Sequence, residues 1–231
     1  RDLRALWCTD KVLVGTDASG IQLRVLCHYM ESEAYRDAIL KGNKDDGTDI
    51  HNLNRAALGL DHVTRDMAKT FIYGFLLGAG IAKIASILRT DTGQARQAME
   101  NFYESLPELR ELKSRRVPAD ARKGYFTGLD GRKVVCDSEH LMLAGYLQNA
   151  EAVITKRWIV EWRRMAKEKK LWFKHVDYVH DEVVCETLTE EDGRKLMDIQ
   201  AKAMDKVSSD LNLFCPMAIE GDIGETWVDV H

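Results

Sequence analysis

Two short apolar runs, one near each end of the chain, carry carboxylates where a strand would carry hydrocarbon. Lys11 to Thr16 (Lys-Val-Leu-Val-Gly-Thr) is β-branched and runs into Asp17. Lys174 to Glu186 alternates as a β-hairpin and is interrupted by His180-Asp181-Glu182. A carboxylate in an apolar strand is costly unless something pairs with it. Two strands presenting Asp17 and Asp181 side by side would make a hard oxygen site suited to Mg²⁺. Two such ions clamping the attacking and leaving oxygens is the general arrangement for phosphoryl transfer. Taken alone, the His180-Asp181-Glu182 triplet also fits a plain polar hairpin turn.

Between these runs the pattern is helical. Ala18-Ser19-Gly20 turns the chain into a helix over Ile21 to Met30, and a further helix is predicted over Ser32 to Leu40. Gly42 to Thr48 is a polar loop, and Asp49 to Leu58 a helix ended by Gly59. After the Arg65 stretch, Ile81 to Leu88 continues helically. Thr92 to Leu106 is a helix stopped at Pro107, and the helical region resumes until Pro118 breaks it. Gly124 to Lys133 reads as a hairpin, Leu141 to Lys170 as a long helix, Thr189 to Leu211 as an amphipathic helix and Ala218 to Trp227 as a last strand. Strand, helices, hairpin, helix, strand predicts an α+β sheet domain interrupted by a helical insertion.

One segment of the insertion carries a chemical pattern. In Arg65 to Gly80, read as a helix, Arg65, Lys69 and Tyr73 fall four apart and drift by only about 40° per step, so they share one face. Met67, Phe71 and Phe75 fall on the other side, where they can be buried. Thr64 is the expected N-cap, and Asp66 lies in the first turn, where the helix dipole favours it. Two cations one turn apart suit a multiply charged anion such as a triphosphate. A flat ring one turn further suits a sugar or base. The same residues also fit an ordinary amphipathic helix with a solvated basic edge.

Bulk properties narrow the classes. The chain has 231 residues, 45% hydrophobic and 30% charged, enough for a real core and not the composition of a disordered chain. A net charge of −4 gives no overall basic signature, so a nucleic-acid partner has to be argued from local patches. The five scattered cysteines form no CxxC pair, which argues against a zinc site or a disulfide framework and for a reducing compartment. The longest nearly apolar run, Phe71 to Ala82, is too short to span a bilayer, no signal peptide is visible, and no membrane partner is expected. The chain opens on Arg1 rather than Met and is expected to be a piece of a longer protein.

Three stretches stand in a familiar order. Asp17-Ala18-Ser19-Gly20-Ile21-Gln22-Leu23-Arg24 resembles motif A of the family A (polymerase I-like) DNA-directed DNA polymerases. Arg65 to Gly78 resembles motif B, the O helix of the fingers, and Val179-His180-Asp181-Glu182 resembles motif C. Gly124-Tyr125, Leu129-Asp130-Gly131-Arg132 and Gln148 fit positions between B and C. Gly224-Glu225-Thr226-Trp227 through His231 resembles the family's C-terminus in its short-tailed bacteriophage branch. The resemblance covers essentially the whole chain and implies an antiparallel palm sheet with helices, interrupted by helical fingers. The expected division is palm over residues 1–40, fingers over 41–125 and palm over 126–231, with the thumb and exonuclease domain absent.

The resemblance also implies roles. Asp17 and Asp181 would be the catalytic, metal-binding aspartates for two Mg²⁺ ions, with the Ala18 carbonyl completing a shell and Glu182 the neighbouring carboxylate. Arg65 and Lys69 would hold the β- and γ-phosphates of a deoxynucleoside triphosphate, and Lys69 would protonate the leaving pyrophosphate. Tyr73 would stack near the incoming sugar, and His51 would lie near the triphosphate, although His51 equally fits a helix-capping or surface role. His180 would face the primer terminus. Arg132 and Gln148 would contact the primer–template duplex, the latter in the minor groove. The implied activity is template-directed addition of nucleotides to a primer 3′-OH. The alternatives are a truncated, inactive fragment that only binds nucleotide or DNA, and a two-metal nuclease, against which the Arg65–Lys69–Tyr73 face argues. The resemblance further implies a cytoplasmic, phage-encoded protein acting in a bacterial host, completed by the missing thumb and exonuclease segments of its parent chain; no processivity factor can be read.

Three positions depart from the family's pattern. Gln22 stands where Glu is usual, the residue that crowds the sugar 2′ position; the steric gate should persist while its hydrogen bond to Tyr73 weakens by roughly half. Leu77 stands where a Tyr usually stacks beside the templating base, which should alter DNA positioning or fidelity rather than abolish catalysis. Ala144 stands where a duplex-contacting Asn is expected. Tyr73 is a regular variant whose phenol accommodates 3′-deoxy nucleotides.

Overall fold

The computed structural model describes residues 4–136 and 138–230, so His231 lies outside the described residues. In chain order the elements are β1 (Cys8–Ala18), α1 (Ile21–Met30), α2 (Glu33–Leu40), α3 (Ile50–Leu58), α4 (Arg65–Leu76), α5 (Ile81–Leu88), α6 (Thr92–Ser105), α7 (Pro107–Glu111) and α8 (Val117–Lys123). There follow β2 (Tyr125–Thr127), β3 (Lys133–Val135), α9 (Glu139–Glu168), β4 (Lys174–Val179), β5 (Glu182–Thr187), α10 (Glu190–Asp210) and β6 (Ile219–Thr226).

The chain forms two compact units, Arg1–Val25 with Ala150–His231, and Leu26–Asn149. Their borders fall inside α1 and α9, whereas the palm and fingers borders expected from sequence fall at 40/41 and 125/126. The two divisions measure different things, compactness in one case and subdomain in the other.

The first unit is built on an antiparallel sheet in the order β4-β5-β1-β6. β1 is central, and Leu13 to Thr16 are buried in an unbroken run, as in a strand covered on both faces. Val14, Thr16 and Ala18 are buried, and α10 packs against β1, β5 and β6. Helix α10 starts where Thr189 accepts a hydrogen bond from the Asp192 N–H. It lies close: a Cβ on Gly193 would stand 3.0 Å from the Val14 side chain. Trp158 and Trp162 of α9 are fully buried, and the Trp158 indole donates to the Gln200 carbonyl at 2.8 Å.

The other face of β1 carries Leu13, Gly15 and Asp17. Leu13, Val184 and Val230 form a small apolar cluster there. Gly15 admits the return of the chain: a Cβ on it would stand 2.0 Å from the Val230 carbonyl oxygen.

The second unit is helical, with α3 to α6 packed on one another. Phe71, Phe75 and Phe102 form its aromatic centre, with Phe71 and Phe102 edge-to-face at 5.2 Å. Caps follow the sequence: Thr64 accepts from the Met67 N–H, and Gly59 closes α3 at φ 65°.

Two sequence expectations are corrected. The Arg65 helix stops at Leu76, because Gly78 takes φ 80° and Gly80 begins a separate helix α5. Pro118 does not break the chain's helical path. A π-turn over Leu112–Arg116 precedes it, so the wider turn absorbs the missing N–H and the ring of a proline near the start of α8.

Gly15→Ala would force Val230 and the sheet apart two residues before Asp17. A loss of about 1–3 kcal/mol is expected, read as a lowered urea midpoint; an unchanged midpoint would show that the C-terminal segment does not press on β1.

Candidate functional site

Strand register assembles a group of carboxylates in the sheet unit. Asp17 stands opposite Glu182 on β5 and opposite Glu220 on β6. Directly opposed residues point to the same face, so three carboxylates form one row across three strands. Asp222 opposes Gly15 on the same face. Between β4 and β5 lies a two-residue turn, His180-Asp181, with His180 at φ 57°. The triplet is thus a hairpin turn, and the same turn brings Asp181 to Asp17: the Ala18 N–H donates to the Asp181 carbonyl at 3.3 Å. The Trp227 indole donates to Glu182 at 3.3 Å. Asp17, His180, Asp181, Glu182, Glu220 and Asp222 line an open cleft of about 650 Å³.

The electrostatics follow from the crowding. Burial, then Asp181, Glu220 and Glu182, push the Asp17 carboxyl up to about 6, with only the Ala18 N–H pulling it down. Burial and then Glu151 raise Asp181, while a hydrogen bond with Asp17 lowers it. Glu151 lies on α9, where it accepts a 3.3 Å hydrogen bond from the Gln22 amide.

Among the described residues no group of three or more His, Cys, Asp or Glu side chains is placed to hold a metal ion. The donor set nonetheless fits Mg²⁺, which is usually held by one or two carboxylates with substrate phosphates rather than by an all-protein cage. Asp17 and Asp181 supply two hard oxygen donors whose mutual repulsion a divalent cation would relieve.

The helical unit carries its own group of candidate residues. Asp49 caps α3 by accepting from the Asn52 N–H, and the same carboxylate binds Arg65 at the start of α4, with Nε at 3.0 Å. Burial would raise Asp49, but the hydrogen bonds from Arg65 and Asn52 outweigh it and hold the carboxyl at about 2. Lys69 is exposed one turn on, and Tyr73 is half-buried a turn further. The His51 ring lies 6.4 Å from that of Tyr73. His51 is neither a cap nor a surface residue. It is 8% exposed within α3, its Nδ1 is buried without a hydrogen-bond partner, and burial followed by Arg65 lowers its pKa.

The remaining candidates are placed as follows. His180, Gln148 and Arg132 are exposed, and Arg132 is bound to Asp130, its Nε at 2.6 Å. Leu77 is 49% exposed at the C-cap of α4. Ala144 is buried at 7%. Sequence reading missed Glu220, Glu151 and the pairing of Asp49 with Arg65. Only Asp49 carried a signal, as the first residue of a helix.

These features agree with the comparisons with known proteins. The chain belongs to DNA polymerase family A, whose model matches residues 1–229. It is 35% identical to the DNA-directed DNA polymerases of Enterobacteria phage T3 and Escherichia phage T7, in each case over 95% of this chain and 33% of the relative. It is 26% identical to DNA polymerase I of Bacillus caldotenax, over 96% of this chain and 26% of that protein. The chain therefore spans about a third of the length of the phage relatives. The fold matches the POL domain of Pol1 from M. smegmatis, solved with DNA primer-template and dNTP, at a TM-score of 0.83 and 21% identity, over 98% of this chain and 42% of that one. The α+β class, a palm-type antiparallel sheet with a helical insertion, is thereby established. No helix among the described residues is long and apolar enough to cross a membrane.

The Asp49–Arg65 pair predicts an acid limb of stability. A carboxylate held below its unfolded pKa stabilises the fold above that value, and the contribution fades as pH falls from about 4 to about 2. Asp49→Asn should cost about 2–3 kcal/mol at pH 7 and progressively less toward pH 2 in urea unfolding. A cost independent of pH would sink this account.

Proposed function

We propose that the chain is the palm-and-fingers portion of a template-directed DNA polymerase. In this reading it extends a primer 3′-OH with deoxynucleoside triphosphates. The observation that carries the proposal is the register that sets Asp17 beside Asp181 at the end of a half-buried antiparallel sheet, in a chain whose helical unit offers Arg65, Lys69 and Tyr73 on one helix. The palm would comprise residues 1–40 and 126–231, and the fingers 41–125.

In the reaction the primer 3′-oxygen attacks the α-phosphorus, the bond to the bridging oxygen of the β-phosphate breaks, and pyrophosphate leaves. Asp17 and Asp181, with the Ala18 carbonyl, would hold two Mg²⁺ ions. Bound there, Mg²⁺ supplies Lewis acidity to the 3′-hydroxyl and neutralises charge on the triphosphate. Glu182, tethered by Trp227, adds field to this pair without being needed as a ligand. Arg65, oriented by Asp49, and Lys69 would bind the β- and γ-phosphates, and Lys69 would return a proton to the leaving pyrophosphate. His51, buried and favoured neutral, would pack behind Tyr73 near the triphosphate. Tyr73 would meet the sugar, Gln22 would crowd its 2′ position, and Leu77, His180, Arg132 and Gln148 would contact primer–template. Arg132 would exchange Asp130 for a backbone phosphate.

Because the chain spans about a third of the phage relatives, a second reading is kept: nucleotide or DNA binding without turnover. Mg²⁺-dependent primer extension decides between them. Extension should fall roughly a hundredfold or more in Asp181→Asn, several kcal/mol of transition-state stabilisation. Extension surviving that change overturns the metal assignment, and binding without extension by the unaltered chain selects the second reading.

Tyr73 gives a separate expectation. Tyr73→Phe should reduce incorporation of dideoxynucleotides relative to deoxynucleotides, measured as the ratio of termination to extension. An unchanged ratio would remove the phenol hydroxyl from the sugar site.

A further inference from the structure

The Gln22 side chain is oriented from one end. Its Nε2 donates to Glu151 at 3.3 Å, while its Oε1 is buried and has no hydrogen-bond partner among the described residues. An ionised carboxylate only accepts, so Glu151 selects the amide nitrogen and rejects the flipped amide, which would set oxygen against oxygen. No bond at the other end contributes to that choice. Gln22 follows Asp17 by five residues as the second residue of α1, and Glu151 is the charge that raises Asp181 most. Glu151 therefore holds the polar residue next to the carboxylate row by a hydrogen bond and acts on the row through its charge.

We propose that Glu151 is a positioning residue that locks the Gln22 amide and thereby sets the preference of the carboxylate site for deoxyribose over ribose. This rests on the polymerase reading above. A side chain held by a charge-assisted hydrogen bond cannot swing aside to admit a 2′-hydroxyl. Released, it regains rotamers that can.

The test uses the full chain in two measurements. The first is the ¹⁵N-labelled side-chain NH₂ resonance of Gln22, assigned by its loss in Gln22→Ala and read without nucleotide. It should move in Glu151→Gln. The second is the ratio of kcat/KM for deoxy- over ribonucleotide in Mg²⁺-dependent extension. It should fall roughly tenfold in Glu151→Gln, recover in the exchanged pair Gln22→Glu/Glu151→Gln, and be insensitive to Glu151→Gln once Gln22 is alanine. Thermal melts confirm that each variant folds. An amide resonance that ignores Glu151→Gln overturns the lock. A resonance that moves while the ratio stands still overturns the sugar-selection role and leaves the polymerase reading intact. An unaltered chain that extends no primer overturns the polymerase reading together with the sugar role, and the amide measurement still decides the lock.

Discussion

Like charges directly opposite one another destabilise a sheet, yet Asp17 has a carboxylate opposite it on both sides, Glu182 and Glu220. Asp181 in the adjoining turn adds a further negative charge. Burial first, and then this repulsion, raise the Asp17 carboxyl to about 6. The sheet tolerates it because the opposite face of the same strand buries Val14, Thr16 and Ala18 completely or nearly so, with α10 packed behind. Burial of that kind yields about 25 cal/mol per Å² of apolar surface, and it is indifferent to the charges facing the other way. A divalent cation bound at this row would relieve repulsion the fold already carries.

The helical unit carries the opposite charge, a guanidinium held in place by a carboxylate of the same unit. Asp49 does so while also capping α3, so one carboxylate fixes the start of α3 and the first residue of α4. Arg65 presents five N–H donors, of which Nε and Nη2 are committed to Asp49 and Nη1 lies 3.9 Å from Asp66. A phosphate can therefore be met with donors left over, without breaking the pair. The same cations account for His51. Burial and two neighbouring positive charges disfavour its protonated form, which keeps a third positive charge out of the cluster and leaves Nδ1 without a partner.

Much of this was legible in the sequence because it is local. Helix ends followed caps that work through bonds two or three residues long, as at Asp49, Gly59, Thr64 and Thr189. Asp17 and Asp181 were legible because a carboxylate in an apolar run violates the pattern around it. Glu220 was not, since β6 alternates exposed and half-buried residues and an acid on such a strand breaks no rule. Glu151 was hidden for the same reason, as one more polar residue on a 30-residue helix. Its meaning comes from a partner 129 positions away in sequence. The π-turn before Pro118 shows the remaining kind of failure, where a local rule against proline is overridden by a change in helix pitch.

Leu77 brings the local and the distant together. On a continuous helix it would extend the series Arg65, Lys69, Tyr73 by one more turn. The helix ends at Leu76, Leu77 is its C-cap, and Gly78 turns the backbone at φ 80° against His140, whose Nε2 would lie 3.1 Å from a Cβ there. Leu77 keeps the helical bond from its N–H to the Tyr73 carbonyl at 3.1 Å and stands half exposed at the helix end. A residue in that position is constrained by whatever it meets outside the helix and hardly at all by the fold. A side chain so placed can change in size or aromaticity without disturbing the cationic face one turn before it.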